Sequence, residues 1–269
     1  MPENSDRPKD SDAVLGGQIS PLLGSAVLGG LPGVKQRFAS NAVEQRIAAL
    51  NEAVKYGDAG LELIIQALDD RAKQVRDIAC LVFRTRVEQL ALLEKGVAIW
   101  NKWRAHCRNL EGLDVDLSGV KLSGANLTQA NLSRANLTQA KFIGANLTQA
   151  NLTQAKFIGA NLTQANLTQA KFIGANLTQA KFIGANLDSA NLSGADLSWT
   201  NLSGANLSKA NLSGAEFIGA NVIDANVDSA NFSGADLSWT NLSGANLSKA
   251  NLSGAKLQRA IMPDGTVHN

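Results

Sequence analysis

The sequence predicts a solenoid of five-residue units, preceded by a small all-α domain. From Leu117 to Leu257 a large apolar residue occurs at every fifth position without an insertion, which gives 29 units. The residue two places earlier is usually alanine, and the remaining positions are mostly polar or glycine. An apolar period of five fits neither an α-helix nor a flat β-strand. A fixed short period indicates units that bury their apolar sides against copies of themselves.

The apolar positions of the repeat predict its core. Of the 29 large residues, 21 are Leu, six are Phe and two are Val. Asn, Ser and Gly between them are turn-forming residues, so the chain can turn once per unit and direct the alanine and the large residue inward. A core filled in this way offers no cavity for chemistry. We therefore expect a protein that is not an enzyme and that holds no cofactor.

The pattern A-(N/D)-(L/F)-x-x, of which Ala125-Asn126-Leu127-Thr128-Gln129 is typical, resembles the pentapeptide-repeat family, which is abundant in cyanobacteria. We assign residues 109–262 to this part of the chain and 263–269 to a C-terminal tail. The resemblance implies a right-handed quadrilateral parallel β-helix with four units per coil. Four units per coil would give about seven coils and a rod roughly 35 Å long at the spacing of paired strands.

Residues 1–39 predict a flexible N-terminal arm with a short helix near Ser20–Leu28. The first residues lack the basic start and unbroken apolar core of a signal peptide. The apolar stretch Ala13–Val34 is interrupted by Gly, Ser and Pro, so it is too broken to span a bilayer. The apolar residues of the arm could dock on a partner or on the next domain, and a partly disordered tail is the alternative.

Apolar residues at helical spacing predict helices in residues 40–108. Asn41 and Glu44 form a capping-box pattern before the first helix, Gly57 is a stop signal, and Asp58 can cap the second helix. A third helix is expected from Asp70 and a fourth from Val87.

Two interpretations of these helices are compatible. The segments Ala67-Leu68-Asp69-Asp70 and Gln74-Val75-Arg76-Asp77 resemble part of a HEAT repeat, which would imply a protein-binding surface. Alternatively, the helices cap the solenoid, because its end exposes unpaired strand edges.

The segment that joins the helices to the repeats carries Trp100 and Trp103, which predict aromatic packing over the first coil. His106 and Cys107 are a weak metal signal, because zinc needs about four ligands at set spacings. The other cysteine, Cys80, is distant in sequence, so the pair establishes no disulfide framework. This cysteine usage fits a reducing compartment, and we expect a cytoplasmic protein.

Charge is unevenly distributed along the repeats. Residues 115–184 carry a net charge of +5 and residues 185–262 a net charge of −2. The family resemblance implies one specific function, since some members mimic DNA and bind DNA gyrase. Mimicry requires a long acidic surface, because DNA carries dense negative charge. The basic first half therefore disfavours a topoisomerase-directed mimic, which stays an alternative, and it is too weakly basic to predict nucleic-acid binding.

Four units per coil place residues that differ by 20 above one another. The column from Asn126 to Asn246 is then all asparagine, which predicts an amide ladder. The column of Thr128, Thr148 and Thr168 suggests ice or surface binding as a second alternative, but Asp188 interrupts it.

One side of the predicted coil differs from the others. It carries acidic residues in one column and tryptophans in another, and we name it the acidic-tryptophan face: Asp196, Trp199, Glu216, Gly219, Asp236 and Trp239. Strand spacing places successive carboxylates about 5 Å apart and the two tryptophans roughly 10 Å apart. Ser198, Ile218 and Ser238 lie between the columns, and the only threonines at the inward alanine position follow the tryptophans, as Thr200 and Thr240.

Exposed tryptophan is enriched at interfaces, and stacked carboxylates favour a cationic partner. The face is therefore a candidate site for a cationic group or a basic peptide. The alternative is duplication, since residues 189–215 recur at 229–255 with a single difference, Leu192 against Phe232. One Trp and one Asp could have been copied with the segment, with the rings packing along the rod edge.

The sequence as a whole predicts a scaffold that acts through protein–protein interaction. Contact could involve the helices, the arm or the acidic-tryptophan face. We expect an unknown protein partner, no nucleic acid and no membrane. The segment Met262-Pro263-Asp264-Gly265 is a turn signal, and rod ends could meet there in a homodimer.

Overall fold

The computed structural model describes residues 30–108, 110 and 113–269. The chain divides into two compact units, one ending at Val82 and the other beginning at Phe83. Residues 83–108, which we assigned to the helical domain and which include the predicted fourth helix, therefore belong to the unit that contains the repeats.

In its described residues, 30–82, the first unit contains four helices and one short 3-10 turn: α1 (Gly30–Phe38), α2 (Val43–Ala53), the turn Val54–Tyr56, α3 (Gly57–Ala67) and α4 (Lys73–Val82). Helix α2 packs against the other three, around a core that includes Val34, Leu50 and Ile64. Helix α1 occupies the end of the predicted flexible arm and corrects that part of the prediction. The helix predicted at Ser20–Leu28 lies outside the described residues. The similarity to a HEAT repeat stays a prediction.

Helix capping in the first unit differs from the prediction. The N-cap of α2 is Ala42, and no side chain caps it. The Asn41 side chain accepts a hydrogen bond from Arg71 at 3.0 Å instead, because a tertiary donor competes for the same oxygen. Helix α3 begins at Gly57, so Asp58 lies within its first turn.

A buried ion pair joins α2 to the segment before α4. Arg46 donates from Nε and Nη2 to the two carboxylate oxygens of Asp70, at 2.8 and 3.0 Å. The two side chains are only 5% and 8% exposed. Burial alone would raise the pKa of Asp70, but the hydrogen bonds from Arg46 and from the Ala72 backbone hold it below its ordinary value of 3.8.

The second unit begins with α5 (Arg86–Glu94) and α6 (Val97–Cys107), which pack together. The repeats follow. In the five-residue repeats, the residue before the large apolar residue forms a parallel bridge with the residue 20 positions later, from Asp116↔Asn136 to Asn241↔Ile261. One coil therefore takes 20 residues, or four units, as the family resemblance implied.

The chain turns once in each five-residue repeat, and an equivalent set of hydrogen bonds closes each turn. The backbone N–H of Ala130 donates to Leu127 O at 3.0 Å, and Gln129 between them has a φ of 61°. A positive φ at this position is typical of a type II turn, which favours glycine. The side chain of Asn126 supports the turn by accepting from the Thr128 N–H at 3.2 Å, and the same contact recurs in later units.

The large apolar residues and the alanines fill the interior as predicted. Phe142, Phe157, Phe172 and Phe182 contact one another in sequence at centroid distances of 5.7–6.1 Å. The predicted asparagine ladder is confirmed from Asn186 to Asn246, with amide contacts of 3.1–3.2 Å. In the earlier coils, threonine hydroxyls donate to the amide oxygens at 2.6–2.7 Å, as Thr128, Thr148 and Thr168 do.

Helices α5 and α6 cover the first coil, as a cap must. Gln89 donates to Asp114 O at 2.8 Å and accepts from the Asp116 N–H at 2.9 Å. Trp100 donates to Asn131 O at 2.8 Å, and Asn101 accepts from the Asn131 N–H at 2.7 Å. These side chains occupy backbone groups that a preceding coil would otherwise pair.

Trp100 and Trp103 are both fully buried, with ring centroids 5.1 Å apart. The predicted aromatic packing at the first coil is confirmed. A capping box is present at the start of α5, where Thr85 is the N-cap and Glu88 lies in the first turn.

The C-terminal residues are not a free tail. The predicted turn is confirmed by the bond from the Gly265 N–H to Met262 O at 2.9 Å. Val267 then forms an antiparallel bridge with Ile261, and the N–H of His268 donates to Ala260 O at 2.8 Å. The chain end therefore pairs with the last coil.

Cys80 and Cys107 are both disulfide-bonded. The expectation that the cysteines establish no disulfide was wrong. Since disulfides persist in oxidising compartments, the cysteines no longer support a cytoplasmic location. Among the described residues, none of the helices has the length and apolar character needed to cross a membrane.

Candidate functional site

The structure brings the six residues of the acidic-tryptophan face together on one side of successive coils. Parallel bridges join Asp196 to Glu216 and Glu216 to Asp236. Trp199, Gly219 and Trp239 occupy the left-handed position of the following turn, with φ values of 60°, 68° and 62°. The repeat period, together with the four units per coil that the family resemblance implied, predicted this juxtaposition.

The two tryptophans are the exception among the aromatic residues of the second unit. Trp199 is 64% exposed and Trp239 is 55% exposed, whereas every other aromatic side chain from Phe83 onward is buried. Their turn position favours glycine, and a left-handed conformation costs other residues about 1 kcal/mol. Neither burial nor backbone preference therefore accounts for tryptophan here.

Trp199 lies against the glycine of the next coil. A Cβ at position 219 would be 2.8 Å from Cε3 and Cζ3 of the ring and 3.1 Å from Cδ2. Such similar distances place Gly219 against one face of the benzene ring. The opposite face is open to solvent, and Gly219 provides the space that lets the ring lie down in this way.

Trp239 has a different neighbour one coil later. The guanidinium carbon of Arg259 lies 4.5 Å from the centroid of the Trp239 ring. This distance is within the range of a cation–π interaction. Arg259 lies in the tryptophan column, 20 residues after Trp239, and this spacing is the sequence signal that predicts the contact.

The three carboxylates have different surroundings. Asp196 accepts from the Ser198 N–H at 2.9 Å and from the Thr178 hydroxyl at 3.0 Å. Asp236 pairs with Lys256 at 3.3 Å. Glu216 is exposed, and within the described part of the chain its carboxylate has no hydrogen-bond or ion-pair partner.

Asp236 is held in its charged form by neighbouring hydrogen-bond donors and by Lys256. Hydrogen bonds from Ser238, first from its side chain and then from its backbone, lower the pKa of Asp236 against the opposing effect of burial. Lys256 lowers this pKa further by its hydrogen bond and its charge.

Thr200 and Thr240 support the two tryptophan turns from inside. Both are buried, and their hydroxyls donate to the carbonyl oxygens of Leu197 at 2.7 Å and Phe217 at 2.8 Å. A buried hydroxyl needs such a partner, and these contacts fix the backbone beneath each ring.

An open cavity of about 750 Å³ lies beside α6 and was not predicted. Its lining includes Arg104, Arg108, Arg134 and Asp114. Burial, followed by the positive charge of Arg134, lowers the pKa of Arg104. Arg104 also donates to Ser133 O at 2.6 Å, so this arginine contributes to the cap of the first coil.

His106 and Cys107 do not form a metal site. The thiol of Cys107 is in a disulfide. In residues 30–108, 110 and 113–269, no group of three His, Cys, Asp or Glu side chains could hold a metal ion.

The fold and its repeating turn define a β-helical repeat protein. The profile described as Pentapeptide repeats matches it in 8 copies, over residues 116–154, 150–188, 160–198, 190–228 and 230–264. The chain belongs to the pentapeptide-repeat family, whose members fold as right-handed quadrilateral β-helices. Among curated proteins, none matches this chain.

Three solved structures are similar to parts of the chain. HetL of Nostoc sp. strain PCC 7120, involved in heterocyst differentiation regulation, is 31% identical, over 57% of this chain and 83% of HetL, with a TM-score of 0.32. QnrB1, a plasmid-mediated fluoroquinolone resistance protein, is 24% identical, over 54% and 83%, with a TM-score of 0.32. Rfr23 from the cyanobacterium Cyanothece 51142 is 23% identical, over 62% and 97%, with a TM-score of 0.32.

Proposed function

We propose that this protein is a non-enzymatic scaffold that binds a protein partner through the acidic-tryptophan face. The observation that carries the proposal is the exposure of Trp199 and Trp239 in a unit whose other aromatic side chains are all buried. Tryptophan is among the residues that contribute most to binding energy when an interface covers them.

Rigidity supports this role. Each tryptophan lies within a turn that is held by the backbone bonds of the β-helix and is followed by a buried threonine whose hydroxyl is hydrogen-bonded. The rings are therefore presented on a fixed surface, and binding costs less conformational entropy than it would on a flexible loop.

A topoisomerase-directed DNA mimic is the main alternative. DNA mimicry would require a continuous acidic surface. Lys121 and Lys141 pair directly on successive coils, and residues 115–184 carry a net charge of +5, which disfavours that alternative. Supercoiling by DNA gyrase in the presence of the protein tests it, and inhibition at a stoichiometric ratio would favour the mimic.

The proposal is tested by affinity capture with the full chain and a Trp199→Gln/Trp239→Gln variant. Glutamine suits the position, because Gln179 occupies the same column with a φ of 60°. The matched control is Ile143→Ala/Ile183→Ala, which removes two exposed apolar side chains from another side of the rod.

We expect the tryptophan variant to bind a captured partner roughly 30-fold more weakly, which corresponds to about 2 kcal/mol, a typical contribution of a buried interface tryptophan. The isoleucine control should retain the partner. Equal capture by both variants would contradict the proposal.

A further inference from the structure

The acidic-tryptophan face contains two copies of one sequence in different surroundings. The segment Ala-Asp-Leu-Ser-Trp-Thr occurs at 195–200 and again at 235–240. One coil after the second copy the chain reads Ala-Lys-Leu-Gln-Arg-Ala, at 255–260. One coil after the first copy it reads Ala-Glu-Phe-Ile-Gly-Ala, at 215–220. The two cations of the later coil are therefore replaced by an acid and a glycine.

The second copy shows what this surface binds when cations are within reach. Lys256 contacts the carboxylate of Asp236 at 3.3 Å. Arg259, three residues further on, lies over the ring of Trp239 at 4.5 Å. An aspartate and a tryptophan in this geometry thus engage a lysine and an arginine of the same chain.

The first copy has the same acceptors but not the cations. Trp199 lies with one ring face on Gly219, which occupies the position of Arg259 in the second copy. Its opposite ring face is open, since Trp199 is 64% exposed. Glu216 takes the place of Lys256 and adds a second carboxylate next to Asp196. The local charge therefore favours an incoming basic group more strongly here than at the second copy.

We propose that Trp199, Asp196 and Glu216 form a docking site for a basic segment of a protein partner, with an arginine over the open face of Trp199 and a second cation between the two carboxylates. The inference rests on the proposed function and names the chemistry of its partner. The arrangement of Lys256 and Arg259 indicates that the two cations are about three residues apart in the partner.

We expect both contacts to be favourable because the bound segment excludes water from the Trp199 ring and from the neighbouring carboxylates. A guanidinium over an indole ring gains electrostatic attraction from the ring quadrupole, and this attraction is larger when water is excluded. The carboxylates beside the ring would otherwise repel each other across one strand spacing. A cation between Asp196 and Glu216 removes that repulsion while the arginine covers the ring.

The test is titration of the full chain with the peptide acetyl-Lys-Gly-Gly-Arg-amide, followed by NMR through the indole N–H signal of Trp199. A second peptide carries citrulline, which is isosteric and uncharged, in place of arginine. The self-occupied variant Glu216→Lys/Gly219→Arg gives the first copy the residues of the second. Its backbone is compatible, since Arg259 adopts a φ of 57° at the equivalent turn position. The Trp199 ring must move away from position 219, because a Cβ there would be 2.8 Å from it.

The matched control is Asp228→Lys/Ser229→Arg, which makes the same change in charge on another side of the rod. Ser229 has a φ of 58°, so its substitution keeps a turn position of the same geometry. Circular dichroism of both variants checks that the β-helix is formed.

We expect the arginine peptide to shift the Trp199 signal saturably and the citrulline peptide to bind about tenfold more weakly. The self-occupied variant should also lose about tenfold in affinity, and the control variant should bind like the unchanged chain. Equal binding of both peptides, or no shift with either, would overturn the inference without the use of any variant. If partner capture still depended on the two tryptophans in that case, the proposed function would stand and only its cationic chemistry would be wrong.

Discussion

Glu216 lies between two aspartates on neighbouring coils. Like charges directly opposite each other on adjacent strands destabilise a sheet by about 0.2–1 kcal/mol. Asp236 is relieved by Lys256, and Asp196 accepts hydrogen bonds from Ser198 and Thr178. Glu216 has no such relief within the described part of the chain, so this residue is better suited to binding than to folding.

Replacing Glu216 with glutamine should therefore stabilise the protein. We expect Glu216→Gln to raise the free energy of unfolding by about 0.5 kcal/mol, since it removes two like-charge contacts, as measured by urea denaturation. Lys181→Gln, which removes an exposed charge elsewhere on the rod, is the control. A loss of stability in the Glu216 variant would mean that this carboxylate serves the fold.

The buried pair of Arg46 and Asp70 predicts a pH dependence of the first unit. The pKa of Asp70 is lower in the folded protein than its ordinary value of 3.8. The corresponding stability is therefore complete above that value and is lost as the pH falls through the folded pKa. Unfolding followed by circular dichroism should show the helices losing stability below about pH 4.

Asp70→Asn should reduce the loss of stability at low pH. Asp77→Asn, which removes a surface partner of Lys73, should leave that loss unchanged. If the Asp70 variant lost as much stability at low pH as the unchanged chain, the role of the Arg46–Asp70 pair in this pH dependence would be contradicted.

Sequence reasoning at the residue scale succeeded where a local rule decides. The inward positions and the turns follow from the period of five, and the columns follow once the family resemblance supplies four units per coil. It failed where a distant residue competes: Arg71 takes the oxygen of Asn41 that the capping box needed. The cation–π contact of Arg259 was missed because a list of columns does not show which side chains reach one another.

Among the elements, α5 and α6 are the ones on which the β-helix depends for its beginning. Gln89 is fully buried and makes hydrogen bonds to three backbone groups, of Phe83, Asp114 and Asp116. Capping was predictable in general, because an open strand edge needs a cover. Which helices supply the cap was not predictable, since that depends on tertiary contacts between side chains and backbone groups about 30 residues apart, such as Trp100 and Asn131.

Gln89→Leu should destabilise the second unit. It leaves buried backbone groups unpaired, each of which costs about 1–3 kcal/mol, so we expect a loss of about 3 kcal/mol in denaturant unfolding. Gln164→Leu on the exposed side of the rod is the control and should change stability by less than about 0.5 kcal/mol. Equal effects of the two substitutions would contradict a capping role for Gln89.

At the scale of the whole second unit, a uniform repeat produces sides with different properties. Its core is the same in nearly every coil, but the outward residues differ, because they are free of the packing that fixes the leucines and alanines. The position of the acidic-tryptophan face was predictable once 20 residues per coil were assumed. Whether the rings serve binding or pack along the rod edge was not, since a duplicated segment produces both patterns.

The thermal unfolding of Trp199→Gln/Trp239→Gln distinguishes these two roles most directly. If the rings are displayed for a partner, the midpoint should change by less than about 2 °C, because roughly 1 kcal/mol shifts a unit of this size by 2–4 °C. A fall of about 6 °C or more would mean that the rings hold the edge of the rod, and it would contradict a binding role for this face.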